Sequence, residues 1–200
     1  MKGSFEDHEM ISDRERWNRR YAEQAELPPP NPLLIEAFDR WIAPRFPHGG
    51  RALDLAGGRG QNSIYLLERG WHVKLIDASD AAVHQARDRA KDACLTLDCE
   101  VEDAGSFLAR NSAGTFDLVM VFAFLDRKLW QGIRRALRSG GLLVYKTYTL
   151  DNLQFGRGPS NPDYLLRAGE LCEEFSDFEI LHSNETSSEP AVAELVAIHR

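Results

Sequence analysis

The chain has 200 residues, 43% of them hydrophobic, and a formal net charge of −7. That length and apolar content suit one domain, residues 1–200, with a sizeable core, and argue against two. The charge excludes a broad basic footprint for nucleic acid, and neither an apolar leader nor a membrane-length apolar stretch is present, so a cytoplasmic protein is expected.

Residues 1–30 read as an N-terminal segment: a polar opening, a short amphipathic helix in RERWNRRYAE and a rigid extended connection at LPPPNP. The core, 31–200, starts with a helix over Leu33–Arg45 carrying Leu34, Ile35, Phe38 and Trp41 on one side. A strand in RALDL then ends beside an acid, Asp54, and breaks into a turn at Gly57, Gly58 and Gly60. A helix follows, with Ile64, Leu66 and Leu67 on one face. Glycines let a ligand approach the main chain, and a strand, a glycine turn and a helix N-terminus together predict a concave surface of N–H groups for a nucleotide-type cofactor. Strand Val73–Ile76 ends at Asp77, with Ser79 as N-cap of a helix over Asp80–Asp92. Asp77 lies nineteen positions after Gly58, close to the offset at which a βαβ unit sets an acid on a ribose hydroxyl. The plainer alternative is that Asp77 caps a strand end.

A third strand is expected around Leu95–Val101, a buried one in FDLVMVFAF, a helix over Lys128–Leu137, a turn at SGG and a strand over Leu142–Tyr148. Two late strands, near Phe178–His182 and Ala193–His199, complete the series. This alternation predicts an α/β fold, a doubly wound, Rossmann-like, seven-stranded and mostly parallel sheet with helices on both faces. The three cysteines, Cys94, Cys99 and Cys172, show no metal-ligand spacing, so reduced thiols and no metal are expected.

Two details separate the cofactors. A dinucleotide site wants glycine or alanine where this chain has Ser63. Asp54, just before the turn, would repel a pyrophosphate but suits an ammonium group. S-adenosylmethionine, with an amino-acid end, a sulfonium, a ribose and no phosphate, answers both.

The stretch LDLAGGRGQNSIYLLERGWHVKLIDAS resembles the cofactor half of class I S-adenosylmethionine-dependent methyltransferases, and within them the small bacterial tellurite-resistance group. The family's acid and alternate glycines map onto Asp54, Ala56, Gly58 and Gly60, with Ala56 departing at the first glycine, and the Gly60–Asn62 ending is similar to the subgroup. The resemblance implies ribose contacts from Asp77, adenine contacts from Asp103 and the Ala104 N–H, and Ala78 and Phe122 flanking the ring. It also implies an antiparallel strand at the C-terminal edge of the sheet, and an N-terminal segment with Trp17, Arg20 and Tyr21 that closes over the cofactor. The competing readings are an N-cap for Asp103 and a hydrophobic staple for Trp17.

In such sheets ligands sit at the carboxyl ends of the strands, where strand order reverses. Acceptor contacts are therefore expected from Arg127 after the fourth strand and from the long segment after the fifth, with Tyr148, Arg157, Tyr164 and Arg167 as candidates for an anionic small molecule. A surface connection with Arg167 in an ion pair is the alternative. A small-molecule methyl acceptor is expected. A cofactor-binding regulatory protein, a nicotinamide-dependent oxidoreductase and an RNA methyltransferase are the competing functions.

Overall fold

A computed structural model describes residues 13–23 and 26–200; the opening MKGSFEDHEMIS lies outside the described residues. Its centre is a seven-stranded sheet of order β3-β2-β1-β4-β5-β7-β6. The strands are β1 (Arg51–Leu55), β2 (His72–Asp77), β3 (Asp98–Val101), β4 (Phe116–Phe122), β5 (Leu137–Tyr148), β6 (Glu179–Glu185) and β7 (Val192–Ile198). The first five run parallel, and β7 pairs antiparallel with both β5 and β6. The antiparallel pairing expected at the C-terminal end is thus made by β7 inserting between β5 and β6, which leaves β6 on the rim.

Helix α1 (Asp13–Glu23) lies on α5 (Asp80–Asp92). The helix expected over Leu33–Arg45 is one continuous rod of three pieces, α2 (Pro32–Ala37), a π turn (Phe38–Ile42) and α3 (Ala43–Arg45). Asn31 caps it by accepting from the Leu33 N–H at 3.1 Å, and Pro32 at N1 lacks an N–H that the helix would leave unpaired. Together with α4 (Gln61–Leu67) and α5, this rod covers one face of the sheet, where Leu34, Ile42, Leu66, Leu118, Met120 and Val144 are fully buried. The opposite face is covered by α6 (Ala104–Arg110), α7 (Trp130–Ala136) and α8 (Glu170–Glu174), packed on Val119, Val121, Leu143 and Tyr145. The continuous apolar run of β4 has this cause, since it is buried from both sides. Each such side chain contributes roughly 1.5–3 kcal/mol by leaving water.

Two boundaries moved. The third strand starts only at Asp98, because Cys94 turns left-handed (φ 57°) and Leu95 N–H closes back on Ala90. The expected turn at SGG is instead an irregular start to β5, with Gly140 at φ 76° and a register shift against β4.

Candidate active site

Strand order reverses between β1 and β4, and the segments leaving the carboxyl ends of β1, β2, β3 and β4 converge beside that point. The turn after β1 is where sequence and structure differ most usefully. The Gly57 N–H bonds Ile76 O at 3.1 Å, the Gly60 N–H bonds Gly57 O at 3.1 Å, and the Gly58 N–H bonds Asp77 Oδ2 at 2.8 Å. The N–H cradle expected for a nucleotide-type cofactor is therefore satisfied largely from within, and a buried acid takes the central donor. A pyrophosphate fits such a turn badly, whereas a cation with a ribose fits it well.

Asp77 is 8% exposed, and its Oδ1 accepts from the Ser79 N–H at 2.8 Å. Burial raises its carboxyl above the ordinary range although the Ser79 and Gly58 N–H groups pull the other way. Each oxygen keeps one lone pair beyond those bonds, so the group can still accept from a diol. Ser79 caps α5 through Ala82 N–H at 3.1 Å, as its sequence position predicts.

Asp54 is 1% exposed and lies under the turn, where a side-chain carbon added to Gly57 would come within 2.7 Å of its carboxyl carbon. Its Oδ2 accepts from Ser63 Oγ at 2.7 Å. Burial pushes this carboxyl up to about 7, against the Ser63 bond, with the Asp77 charge adding to the rise. Asp54, expected from sequence to meet an ammonium group, is packed beneath the main chain of the turn. Ser63, which sequence singled out only as a departure from a dinucleotide pattern, is its partner.

Ala56 holds φ 55°, a left-handed conformation that glycine adopts freely, and Ala123 after β4 holds φ 53°. The two strained alanines thus follow the carboxyl ends of the two strands that flank the switch point, and such outliers mark functional turns. We expect Ala56→Gly to leave stability within about 0.5 kcal/mol of the parent, because relieved strain offsets glycine's chain entropy. Ala56→Val should cost roughly 2 kcal/mol, since β-branched residues barely populate this region; equal urea midpoints for the two variants would refute the argument.

The other expected cofactor residues divide. Gly58 is overlain by Tyr21, whose hydroxyl would be 2.9 Å from an added Cβ, and Gly60 (φ 79°) lets α4 approach Ala86 of α5. Tyr21 stacks on Trp17 with centroids 5.6 Å apart, and Arg20 lies 5.2 Å over the Trp17 ring. Burial, followed by the Asp77 charge, pushes the Tyr21 hydroxyl up to about 12. Asn18, which sequence did not single out, fastens α1 here by accepting from Ser79 Oγ at 2.5 Å and donating to Asp80 at 2.5 Å. Asn62 is 2% exposed and its Oδ1 accepts from the Asn31 N–H at 2.8 Å, so it ties the N-cap of α2 to α4. Asp103 caps α6 through the Ser106 N–H at 2.9 Å, with Ala104 buried behind it. Ala78 is exposed beside Asp77, and Phe122 is half-buried at the end of β4.

The expected acceptor contacts Arg127, Arg157 and Arg167 sit in ion pairs. Arg127 donates from Nε and Nη2 to Glu170 at 2.6 and 2.8 Å, from Nη1 to Asp163 O at 2.9 Å, and from Nη2 to Leu165 O at 2.9 Å. It is a clamp on the segment after β5, with its donors directed into that clamp. Glu170, only 6% exposed, is held down to about 2 by the Arg127 bonds, and it also accepts from the Arg167 N–H at 2.8 Å. Arg167 is 72% exposed on the same carboxylate, and Arg157, 84% exposed, pairs with Glu189 at 3.3 Å. Both stand in surface ion pairs, the alternative that sequence offered for Arg167. The Tyr148 ring packs on Gly158, and Tyr164 lies in the short turn Pro162–Tyr164 that Arg127 holds through Asp163 O.

Residues 52–141 match the model of a methyltransferase domain family. Over 131 residues the chain is 30% identical to a tRNA 5-carboxymethoxyuridine methyltransferase of Escherichia coli K12, covering 60% of this chain and 49% of that protein. It is 27% identical over 125 residues to a putative methyltransferase, YqeM, of Bacillus subtilis, covering 57% and 49%. The chain spans about half the length of these curated relatives. Among solved structures, TehB from Haemophilus influenzae matches with a TM-score of 0.69 at 18% identity, over 94% of this chain and 67% of that one. The magnesium protoporphyrin IX methyltransferase ChlM from Synechocystis PCC 6803, with bound SAH, matches with a TM-score of 0.66 at 17% identity, over 94% and 97%. At those identities the likeness is one of fold. Among the described residues, no helix is long and apolar enough to cross a membrane.

Proposed function

We propose that the chain is a class I S-adenosylmethionine-dependent methyltransferase, with S-adenosylmethionine as its cofactor, that methylates a small-molecule acceptor; the methyltransferase-domain match over residues 52–141 supports this reading. The observation that carries this reading is the meeting of two buried acids, Asp54 and Asp77, with an internally satisfied glycine turn beside the switch point. In the proposed site Asp77 accepts from the ribose hydroxyls, while Asp54 sets the turn and offers negative charge beneath the amino-acid end. Asp103 and the Ala104 N–H meet the adenine edge between Ala78 and Phe122, and Tyr21, with Trp17 and Arg20, closes the outer side. The cofactor supplies a methyl on an already activated sulfonium leaving group. The protein's task is then to hold the acceptor in line and to exclude water.

A formal charge of −7 and a pI near 5.4 support a small molecule over RNA. An RNA acceptor is the second reading, favoured by the tRNA-modifying relative. Labelled methyl transfer, assayed in parallel on bulk tRNA and on a protein-free metabolite extract, separates the two.

The primary test is calorimetric titration with S-adenosylmethionine, S-adenosylhomocysteine and NAD, where the first two should bind and NAD should not. Asp77→Ala should weaken both by roughly tenfold or more, the worth of one charge-assisted hydrogen bond. An unchanged affinity would remove Asp77 from the ribose site.

A further inference from the structure

One group of charged side chains at the acceptor side of the sheet is unaccounted for by the cofactor site. Paired positions on β4, β5, β7 and β6 set Phe122 beside Lys146, Lys146 beside Glu194, and Glu194 beside Asn184. Lys146 Nζ lies 2.6 Å from Glu194 Oε1, and His182 Nε2 lies 3.4 Å from Glu194 Oε2. The three side chains are 23%, 15% and 23% exposed, so the row is sheltered yet open to a ligand. One step down the same face, Val144 and Val196 are fully buried. The row therefore stands where the apolar core ends, at the level of the last residue of β4.

Its place suits an acceptor. Val121 is level with Leu55, so Phe122 is level with the strained Ala56, and Lys146 lies one strand further along the row. Strands are ~4.8 Å apart, which puts the Lys146 backbone about 10 Å from the glycine turn, within the combined span of a sulfonium methyl and a small acceptor. The arginines beyond β4 and β5 are engaged elsewhere, whereas a lysine ammonium has three donors and only one is engaged here among the described residues. Glu194 orients the ammonium while His182 holds the other carboxylate oxygen. Such a partly buried ion pair adds little stability over an apolar replacement, so stability alone gives scant reason for it.

We propose that Lys146 is the anchor for an anionic group, most simply a carboxylate, on the methyl acceptor. This rests on the reading of the chain as a methyltransferase whose acceptor lies over β4 and β5. It keeps an anionic acceptor and assigns the contact to a residue that the sequence did not single out.

The test is an NMR titration of isotopically labelled protein, saturated with S-adenosylhomocysteine, against benzoate and its neutral isostere benzamide. Benzoate should shift the resonances of Lys146, Glu194 and His182, together with Trp41, whose ring is 6.1 Å from His182. Benzamide should not. Lys146→Met should bind S-adenosylhomocysteine as the parent does but lose benzoate affinity by tenfold or more. Glu194→Gln, which keeps an acceptor but removes the competing charge, should tighten benzoate severalfold. Equal responses to the two probes, benzoate binding unaffected in Lys146→Met, or weaker binding in Glu194→Gln would overturn the proposal. Failure of S-adenosylhomocysteine to bind would overturn the methyltransferase reading itself. Normal binding of it with no benzoate response would overturn only the anchor.

Discussion

Replacing Asp54 by asparagine is expected to stabilise the protein at pH 8 and to weaken S-adenosylmethionine binding at the same time. The carboxyl is fully enclosed, and burial pushes it up to about 7, whereas in the unfolded chain it ionises near pH 4. Between those values the folded state holds the extra proton, so this residue's contribution is greatest below pH 4 and is lost as pH rises through about 7. A shift of that size corresponds to roughly 4 kcal/mol above neutrality. Asparagine keeps an acceptor for the Ser63 hydroxyl but cannot ionise. The difference between parent and variant in urea unfolding should therefore grow from pH 5 to pH 8, in the variant's favour. A cationic ligand above the turn favours the carboxylate, so binding near pH 7 should release a proton from the parent. That appears as a buffer-dependent binding enthalpy and should vanish in the variant, with affinity reduced about tenfold or more. Parallel stability curves across this pH range would sink the argument for a strained, functional acid.

The second large effect is expected at the clamp. Arg127→Met leaves Glu170 charged at a position only 6% exposed, and strips Asp163 O and Leu165 O of their donor. Glu170 keeps the Arg167 N–H, so losing its charge-assisted bonds to Arg127 costs about 1.5–3 kcal/mol, which is roughly 5 °C in Tm for a chain of this size. The segment between β5 and α8 should then open to trypsin at Arg157 and Arg167, while S-adenosylhomocysteine affinity stays within about twofold. Glu170→Gln is the milder control if the first variant folds poorly. Because Arg127 holds Glu170 down to about 2, the clamp's contribution is present above the ordinary glutamate range and is lost only as pH falls through about 2. Trypsin resistance equal to the parent, or a tenfold loss of cofactor affinity, would show that Arg127 has a different task.

Much of the architecture was legible in the sequence because its signals are local. The apolar run of β4, the Ser79 cap of α5 and the glycine turn each depend on neighbours within a few residues, so composition and spacing specify them. The nineteen-residue offset from Gly58 to Asp77 likewise belongs to one βαβ unit, and the structure joins those two residues by a hydrogen bond. What a side chain does once it arrives is set by partners that sequence distance conceals. Arg127 meets Glu170 across 43 positions, and Asn18 meets Ser79 across 61. A free arginine and a clamped one read alike along the chain, as do an acid facing a ligand and one packed under a turn. By itself the sequence determined the strand–helix series, the position of the glycine turn and the offset of the two acids from it, through short-range geometry. Only the tertiary structure decided that the turn's N–H groups are satisfied internally, that Asp54 is buried beneath it and that the arginines are engaged elsewhere, because burial and charge pairing exist only once distant segments meet.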